Sequence, residues 1–466
     1  MDLGRLRVKL EEVGVPFELF GNKRSRVYLV GGCIRDAILG REITDFDFAV
    51  EGSGMKYAQL FSEKLDATFV PLKLDEGRVV YRKTWTFDFS GLGGHDIEKN
   101  LWKRDFTINA MAIELWDLLQ GEWRLTDPTS GLKDLRSKRI RMTGEQSLVE
   151  DPVRILRTYR FASQLDFTID VETLRAVSRH KRLLTGVAGE RICHEVFLIL
   201  HTGKSWRWVE EMAESGVLFA LLPELDVMKT CAELDLLHHS ILSLKELEAI
   251  LSGERKTVFG ALESELRRYF SWKARKPLLK LATLLHDIGK PGTFSADERG
   301  GIHFYGHDTL GQELLSAILK ERLRMSKREI ETITRSVRYH MRPHLLGREK
   351  ELTQRAMRRF FTDLGEEWLG VLLLAFADAL ATENGGVSQL EDLTSRLVNF
   401  RREVERKAKV ERLIRGTDLI DELHLQPGPL FRRILERVEE EQLEGTIRSR
   451  EEAMELVRKI LEESDQ

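Results

Sequence analysis

Val30-Gly31-Gly32-Cys33-Ile34-Arg35-Asp36, followed by Leu39-Gly40 and then Asp45-Phe46-Asp47, is the stretch that decides how the chain begins. Residues i and i+2 of a strand project from one face, so Asp45 and Asp47 can converge on shared cations. Hard carboxylate oxygens of this kind suit Mg²⁺, which keeps several waters and also binds substrate phosphates. A pair of such ions can clamp an attacking hydroxyl and a leaving pyrophosphate. Gly31 and Gly32 let backbone amides approach a triphosphate, and Arg35 can add charge-assisted contacts. The alternative is a turn at a strand edge with solvated acids. The glycine pair and Arg35-Asp36 upstream at this spacing weigh against it.

Working outward, 466 residues predict several domains, because a single core stops growing at about 250–300 residues. A net charge of −3 argues against a protein that is a polyanion binder over its whole surface, so a nucleic-acid site must be a local patch. Such a patch is visible in residues 131–182, where 12 Lys and Arg face 7 Asp and Glu. Cys33, Cys193 and Cys231 are widely spaced and form no CxxC, which predicts a reducing cytoplasm and no cysteine-type zinc site. The first dozen residues lack the apolar core of a signal peptide. No run of roughly 18 apolar residues predicts a membrane span.

Short β-type runs occur at Val27–Val30, Phe46–Val50, Thr68–Val70, Arg78–Tyr81 and Thr84–Phe89, with an amphipathic helix over Met55–Leu65. This predicts an α/β head. From about Asp134 the strand signal fades and 3.6-residue periodicity dominates to the end. No low-complexity linker or sequence repeat interrupts it.

Two further clusters carry chemistry. Lys103-Arg104-Asp105-Phe106-Thr107-Ile108-Asn109-Ala110 reads as charged residues heading an apolar helix, able to hold phosphate and ribose hydroxyls or simply to cap it. Glu150-Asp151-Pro152-Val153-Arg154, continuing to Arg157 and Arg160, reads as a helix start. There Asp151 serves as N-cap before Pro152, or Asp151, Arg154 and Arg157 share a face toward a base edge.

In this order, together with Asp127-Pro128-Thr129-Ser130-Gly131…Asp134-Leu135 and Gly189-Glu190-Arg191-Ile192…Glu195, these motifs resemble the class II tRNA nucleotidyltransferases. That polymerase-β-like family includes CCA-adding enzymes and bacterial poly(A) polymerases. A weaker resemblance continues through Gly416-Thr417-Asp418-Leu419, Pro427-Gly428-Pro429 and Glu444-Gly445…Arg450-Glu451-Glu452-Ala453. The resemblance implies that Asp45 and Asp47 bind two Mg²⁺ and that Gly31, Gly32 and Arg35 support the triphosphate. It implies that Arg104 and Asp105 contact the ribose. Asp151 and Arg154 would read the base edge with Arg157 nearby, and Glu190 and Arg191 would brace the neck helix. Lys103 stands where the family usually has arginine, and Ser130 where it has a hinge glycine. Members that build the whole CCA end usually carry a longer flexible loop where this chain has Phe89–Trp102. The short stretch points to addition of the two cytidines only, with a separate A-adding enzyme. Asp88 is a candidate third carboxylate.

His239, His286-Asp287, His307, His340 and Asp378 resemble the ligand set of the HD phosphohydrolases, Leu284-Leu285-His286-Asp287-Ile288-Gly289-Lys290-Pro291 being the specific part. That resemblance implies a site for Mg²⁺, Mn²⁺, Ni²⁺ or Fe able to activate water toward phosphomonoesters or cyclic phosphates. The expected organisation is therefore an α/β nucleotidyltransferase head (1–133), a helical neck (134–215), an HD-type metal domain (216–390) and a helical body and tail (391–466). The expected partners are CTP, ATP and the tRNA acceptor stem, with no membrane. The rivals are a bacterial poly(A) polymerase, a phosphohydrolase acting on RNA ends or nucleotides, and a non-catalytic tRNA-binding protein.

Overall fold

The computed structural model describes residues 3–20, 26–72, 75–231, 234–382, 385–409, 413–426, 428–444 and 446–464. Pro427 and Gly445 of the C-terminal motif, and Asp465 and Gln466, lie outside the described residues.

Strand β2 (Asp45–Val50) alternates acid and phenylalanine, and that alternation builds the head. Phe46 and Phe48 turn inward and are buried. Beside β2 runs β5 (Trp85–Gly91), in parallel, with Phe46 opposite Phe87, Asp47 opposite Asp88 and Phe48 opposite Phe89. The Phe48 and Phe89 rings stack at 4.7 Å, those of Phe46 and Phe87 at 5.4 Å, and Phe61 of the helix Gly54–Leu65 closes over them. Each buried phenylalanine contributes about 1.5–3 kcal/mol. A one-residue slip of register would exchange the phenylalanines for aspartates, so the apolar core also places the acids.

The other strands are β1 (Val27–Val30), β3 (Thr68–Pro71), β4 (Glu76–Tyr81), β6 (Ala112–Glu114) and β7 (Leu125–Thr126). The sheet order is β3-β4-β5-β2-β1-β6-β7, antiparallel apart from the β2–β5 pair. Cys33, Cys193 and Cys231 are free thiols.

One sequence expectation fails in the head. Lys103 to Ala110 does not open an apolar helix: the short helix Ile97–Trp102 ends at Lys103, a 3₁₀ turn covers Thr107–Asn109, and β6 follows. The apolar run Ala110–Ile113 is buried and feeds the inner strand β6 from Ala112 on, and a short apolar run does not distinguish strand from helix by period alone.

The passage to the neck is tied by carboxylates. Asp127 accepts the N–H groups of Gly131 (2.6 Å) and Leu132 (2.9 Å), opening the helix Gly131–Arg136. Asp134 accepts from Thr107 Oγ1 and Arg141 Nε, each at 2.7 Å. A Cβ on Gly131 would lie 2.0 Å from the Thr107 carbonyl oxygen, so that close approach demands glycine. Ser130, by contrast, holds φ +62°, the left-handed conformation that glycine adopts without cost.

Beyond the hinge the chain is mainly helical. Two small sheets interrupt it: Arg139–Ile140 with Thr168–Ile169, and Ser295–Ala296 with Ile302–His303. The described chain forms two compact units, Met1–His344 with Leu364–Val387, and Leu345–Asp363 with Ser388–Gln466. In the second, Leu419, Ile434, Val438, Ala453 and Val457 are core residues, and Arg450 reaches Asp418 at 3.0 Å.

Candidate active sites

Asp45, Asp47 and Asp88 share the outward face of β2 and β5, Asp45 exposed and Asp47 and Asp88 half-buried. Burial raises the proton affinity of Asp47; Arg104 opposes the shift, while Asp88 and Asp45 add to it. Mutually repelling carboxylates on one face favour a bound cation, and their hard oxygens fit a divalent one. Asp88 is not a free third ligand: Arg78 of β4 grips it through Nε and Nη2, both at 2.7 Å. Gly31, at φ +80°, forms the floor. A Cβ there would meet Arg104 Nη1 at 2.6 Å and Asp47 Oδ2 at 3.0 Å. The Nε of Arg104 is buried without a hydrogen bond among the described residues.

Around this face the structure commits residues that the sequence left free. Arg35 donates to Asp36 (3.0 and 2.7 Å) and Asn109 (2.6 Å), with its guanidinium 5.1 Å from the Phe161 ring. Gly32 faces that guanidinium. Asp105 is buried and fully occupied: Oδ1 accepts Phe106 N–H and Asn109 Nδ2, and Oδ2 accepts Arg157 Nε and Nη2. Burial alone would raise its pKa, but Arg157 and these hydrogen bonds lower it to about 2. Four hydrogen bonds fill the acceptor positions of a carboxylate, so Asp105 locks head to neck and has none spare for a ribose. Asn109, which the sequence reading passed over, joins Arg35 to Asp105.

The neck helix starts at Arg154, with Val153 as N-cap and no side-chain cap. Asp151 is therefore not its N-cap; the turn at Pro152 and Val153 delays the helix, leaving the Asp151 carboxylate to meet Arg191 Nη2 at 2.9 Å. Arg154 donates to the carbonyls of Lys103 and Ser147. Glu190 is exposed, and Glu195 braces the neck helix, 3.1 Å from Arg160 Nε. Burial and neighbouring Arg157 pull the pKa of Arg160 down to about 10.

The second site draws on separate helices. His239 lies on Leu236–Ser252, His286 and Asp287 follow Arg275–Leu285, and His307 opens His307–Glu321. His340 follows Lys327–Tyr339, and Asp378 lies on Trp368–Leu380. All six come together. His239, His286 and Asp287 form one candidate metal-binding triad, and Asp287, His307 and His340 another. Nδ1 of His286, His307 and His340 each meets the carbonyl three residues earlier, at 2.8, 2.8 and 2.7 Å. That bond turns each Nε2 toward the cluster, where a neutral ring with its proton on Nδ1 offers a lone pair to a cation. His286 Nε2 and Asp287 Oδ1 are buried without a hydrogen bond among the described residues, as atoms meant for a cation would be. Burial opposes charge on His286, yet Asp287 and Asp378 push its pKa up to about 10; burial and His286 pull His340 down to about 3. His344, absent from the sequence reading, approaches Asp378 Oδ2 at 3.1 Å. Its signal was the i, i+4 spacing from His340.

Comparison with known proteins sets the two clusters in two different domain families. The family model described as the poly A polymerase head domain matches residues 27–84 and 71–141, that of a probable RNA and SrmB-binding site of polymerase A matches 166–229, and the HD domain matches 239–382. A CC-adding tRNA nucleotidyltransferase of Thermus thermophilus is 31% identical over 91% of each chain. An A-adding tRNA nucleotidyltransferase of Deinococcus radiodurans is 29% identical over 94% of this chain and 96% of its own. The fold matches a Thermotoga maritima CCA-adding enzyme complexed with tRNA, at TM-score 0.61 and 20% identity over 99% of this chain and 96% of that one. With the polymerase head, the RNA-binding-site and the HD models matched in that order, the chain belongs to the class II tRNA nucleotidyltransferases.

Proposed function

We propose that this protein extends tRNA 3′ ends from nucleoside triphosphates without a template, in the cytoplasm, and that it adds the two cytidines and stops. The observation that carries the transfer reaction is the paired Asp45 and Asp47 beside Gly31 and Arg104 on one sheet face. Asp45 and Asp47 would hold two Mg²⁺, which when bound stabilise an attacking 3′ hydroxyl and a departing pyrophosphate. Gly31 keeps the triphosphate side open, and Arg104 faces it. Asp151 and Arg154 flank the head–neck junction, where each bidentate contact to a base edge is worth about 1–3 kcal/mol of discrimination. Asp105 and Arg157 hold that junction rigid. The exposed pair Arg191–Asp151 can open toward a base at little cost, since solvated ion pairs contribute about 0–1 kcal/mol.

The stop after two cytidines is supported by the connection from β5 to the helix Ile97–Trp102, only Leu92–Asp96 long. Relatives of both CC-adding and A-adding type match with similar identity, so the choice of CC addition rests on this loop alone. A separate A-adding enzyme would then complete the end.

Three tRNA transcripts, ending before CCA, after C and after CC, test this with Mg²⁺ and labelled CTP or ATP. Two cytidines and a stop are expected. A lone adenosine on the CC-ended transcript, or complete CCA, overturns the loop argument; long adenosine tracts identify a poly(A) polymerase.

The HD cluster supports a second reading, a metal-dependent phosphohydrolase for phosphomonoesters or cyclic phosphates of nucleotides or RNA ends. Its carrying observation is the trio of imidazoles aimed by their own backbone around Asp287. Mg²⁺, Mn²⁺, Ni²⁺ or Fe, when bound there, activates water. Phosphate release that disappears in His286→Ala, with tRNA extension retained, is the expected result. Equal release by both proteins overturns it.

A further inference from the structure

Across the head sheet one row of registered residues runs Arg78, Asp88, Asp47 and Val30, from β4 through β5 and β2 to β1. Neighbouring strands stand roughly 5 Å apart, so the row spans about 14 Å. At its β1 end Gly31 follows Val30, and a Cβ on Gly31 would lie 2.6 Å from Arg104 Nη1. At its β4 end Arg78 donates Nε and Nη2 to Asp88, each at 2.7 Å, while its side chain stays 43% exposed. A guanidinium carries its N–H donors in a fixed planar fork. Asp88 takes one edge of that fork, which sets its plane and leaves Nη1 for a second anion.

The two ends of the row face different partners in the transfer reaction. In an in-line displacement at phosphorus the attacking and leaving oxygens stand on opposite sides of the reacting atom. With the departing pyrophosphate on the Gly31 and Arg104 side, the attacking hydroxyl arrives from the side of Asp88 and Arg78.

The turn that joins β4 to β5 adds two cations there, at a conformational cost. Arg82 and Lys83 hold φ +50° and +57°, and the Thr84 N–H closes the turn on the Tyr81 carbonyl at 3.2 Å. Consecutive left-handed residues in a hairpin turn normally call for Asn-Gly, because a Cβ makes that conformation costly. Arg82 and Lys83 are both exposed, Arg82 with its guanidinium 4.9 Å from the Tyr81 ring. Lys83 precedes Thr86, the register partner of Asp45, by three residues, at most about 10 Å along the chain. Strained residues of this kind cluster where a ligand is gripped.

We propose that the β4–β5 hairpin is the RNA-facing flank of the head: Arg78, oriented by Asp88, receives the last phosphodiester of the RNA, and Arg82 and Lys83 receive phosphates upstream of it. The inference rests on the transferase reading above and adds the direction from which the RNA end arrives. Phosphate contacts fix position and register without reading sequence, so the hairpin places the 3′ hydroxyl and leaves the choice of base to the neck. Asp88 is then a positioning residue that acts through Arg78.

Two synthetic acceptor-stem RNAs ending before CCA test this, one of them with a neutral methylphosphonate as its last internucleotide linkage. Filter binding to the full-length protein in EDTA reads affinity where no transfer can occur. The parent should bind the fully charged RNA about tenfold more tightly, as a charge-assisted hydrogen bond warrants, and Arg78→Met should bind both alike. In Mg²⁺, Arg78→Met should raise KM for the RNA about tenfold and leave KM for CTP unchanged. Joining Asp88→Asn to Arg78→Met should keep the loss. Recovery of parent affinity would mean that a bared Asp88 carboxylate repels RNA, which overturns the contact. Arg82→Ala with Lys83→Ala should make the slope of log affinity against log salt shallower by about 1.4; an unchanged slope overturns the part assigned to the turn. A parent that binds both RNAs alike, a preference that survives Arg78→Met, or a rise in KM for CTP instead of RNA overturns the proposal. If the parent extends no RNA, yet its preference for the charged linkage depends on Arg78, the transferase reading fails and the RNA-facing flank stands.

Discussion

The two candidate sites solve one problem, gathering anionic ligands for cations, by opposite means. The head site is local: two aspartates on one strand, two residues apart, Asp45 exposed and Asp47 half-buried, on the face opposite a phenylalanine core. The HD cluster is distributed over helices more than a hundred residues apart in sequence, and His286, Asp287 and His340 are fully buried. An open carboxylate face suits ions that arrive and leave with a triphosphate. A buried set of imidazoles, each aimed by its own backbone, suits a resident ion. The difference teaches that strand period is enough to make a transient site, whereas a permanent one needs tertiary assembly.

The sharpest test of that contrast is Asp47→Ala. It should reduce tRNA extension by at least on the order of 10³-fold, because the transition-state charge loses its clamp. Elemental analysis should find the metal content of the HD cluster unchanged; a joint loss would mean that the sites are not independent.

Arg157→Met comes next. It leaves the Asp105 carboxylate buried without its ionic partner and should destabilise the protein by about 3 kcal/mol in urea unfolding. Combining it with Asp105→Asn should recover much of the loss. No recovery would show that Arg157 acts through Glu195 or Phe161 instead.

His344→Ala probes the HD side. A residue that orients a ligand costs roughly 10- to 100-fold in metal affinity when removed. Competition with a chelator followed by elemental analysis measures this, and tRNA extension in added Mg²⁺ should persist.

Acid should unpick the head–neck lock in a defined window. The Asp105 carboxyl is held at about 2, below its ordinary 3.8, so its stabilisation is complete above pH 4 and lost as pH falls through 2. It is worth about 2 kcal/mol. The stability gap between the parent and Asp105→Asn should narrow between pH 4 and 2; a constant gap contradicts the assignment. The smallest effect belongs to Ser130→Gly, which relieves a left-handed serine and should stabilise by about 0.5–1 kcal/mol while loosening the hinge.

Much of this was legible in advance, and the reasons are specific. The strand at Asp45 was readable because phenylalanine and aspartate alternate with period two. The helix Gly54–Leu65 was readable from its apolar stripe, to within one residue of the expected Met55–Leu65, and its Ser53 cap emerged only in the structure. Lys103–Ala110 misled because the buried apolar run it leads into is a strand, and a buried strand and a buried helix look alike over so few residues. Asp151-Pro152 looked like a helix cap, but the helix waits for Arg154, and nothing local announces that delay. The residues that stand together at the HD cluster could be named from their resemblance, yet His344 required seeing which ring meets Asp378.

The sequence by itself determined the α/β head, the helical remainder, the acid pair and the family. Those rest on periodicity and on ordered motifs, which are properties of neighbours in the chain. The tertiary structure decided which charges are free and which are spent. It gave Asp105 to Arg157, Asp88 to Arg78, and Arg35 to Asn109 and Asp36. A charged side chain buried by folding must find a partner, and that partner is chosen by the packing of distant segments, which no local pattern encodes.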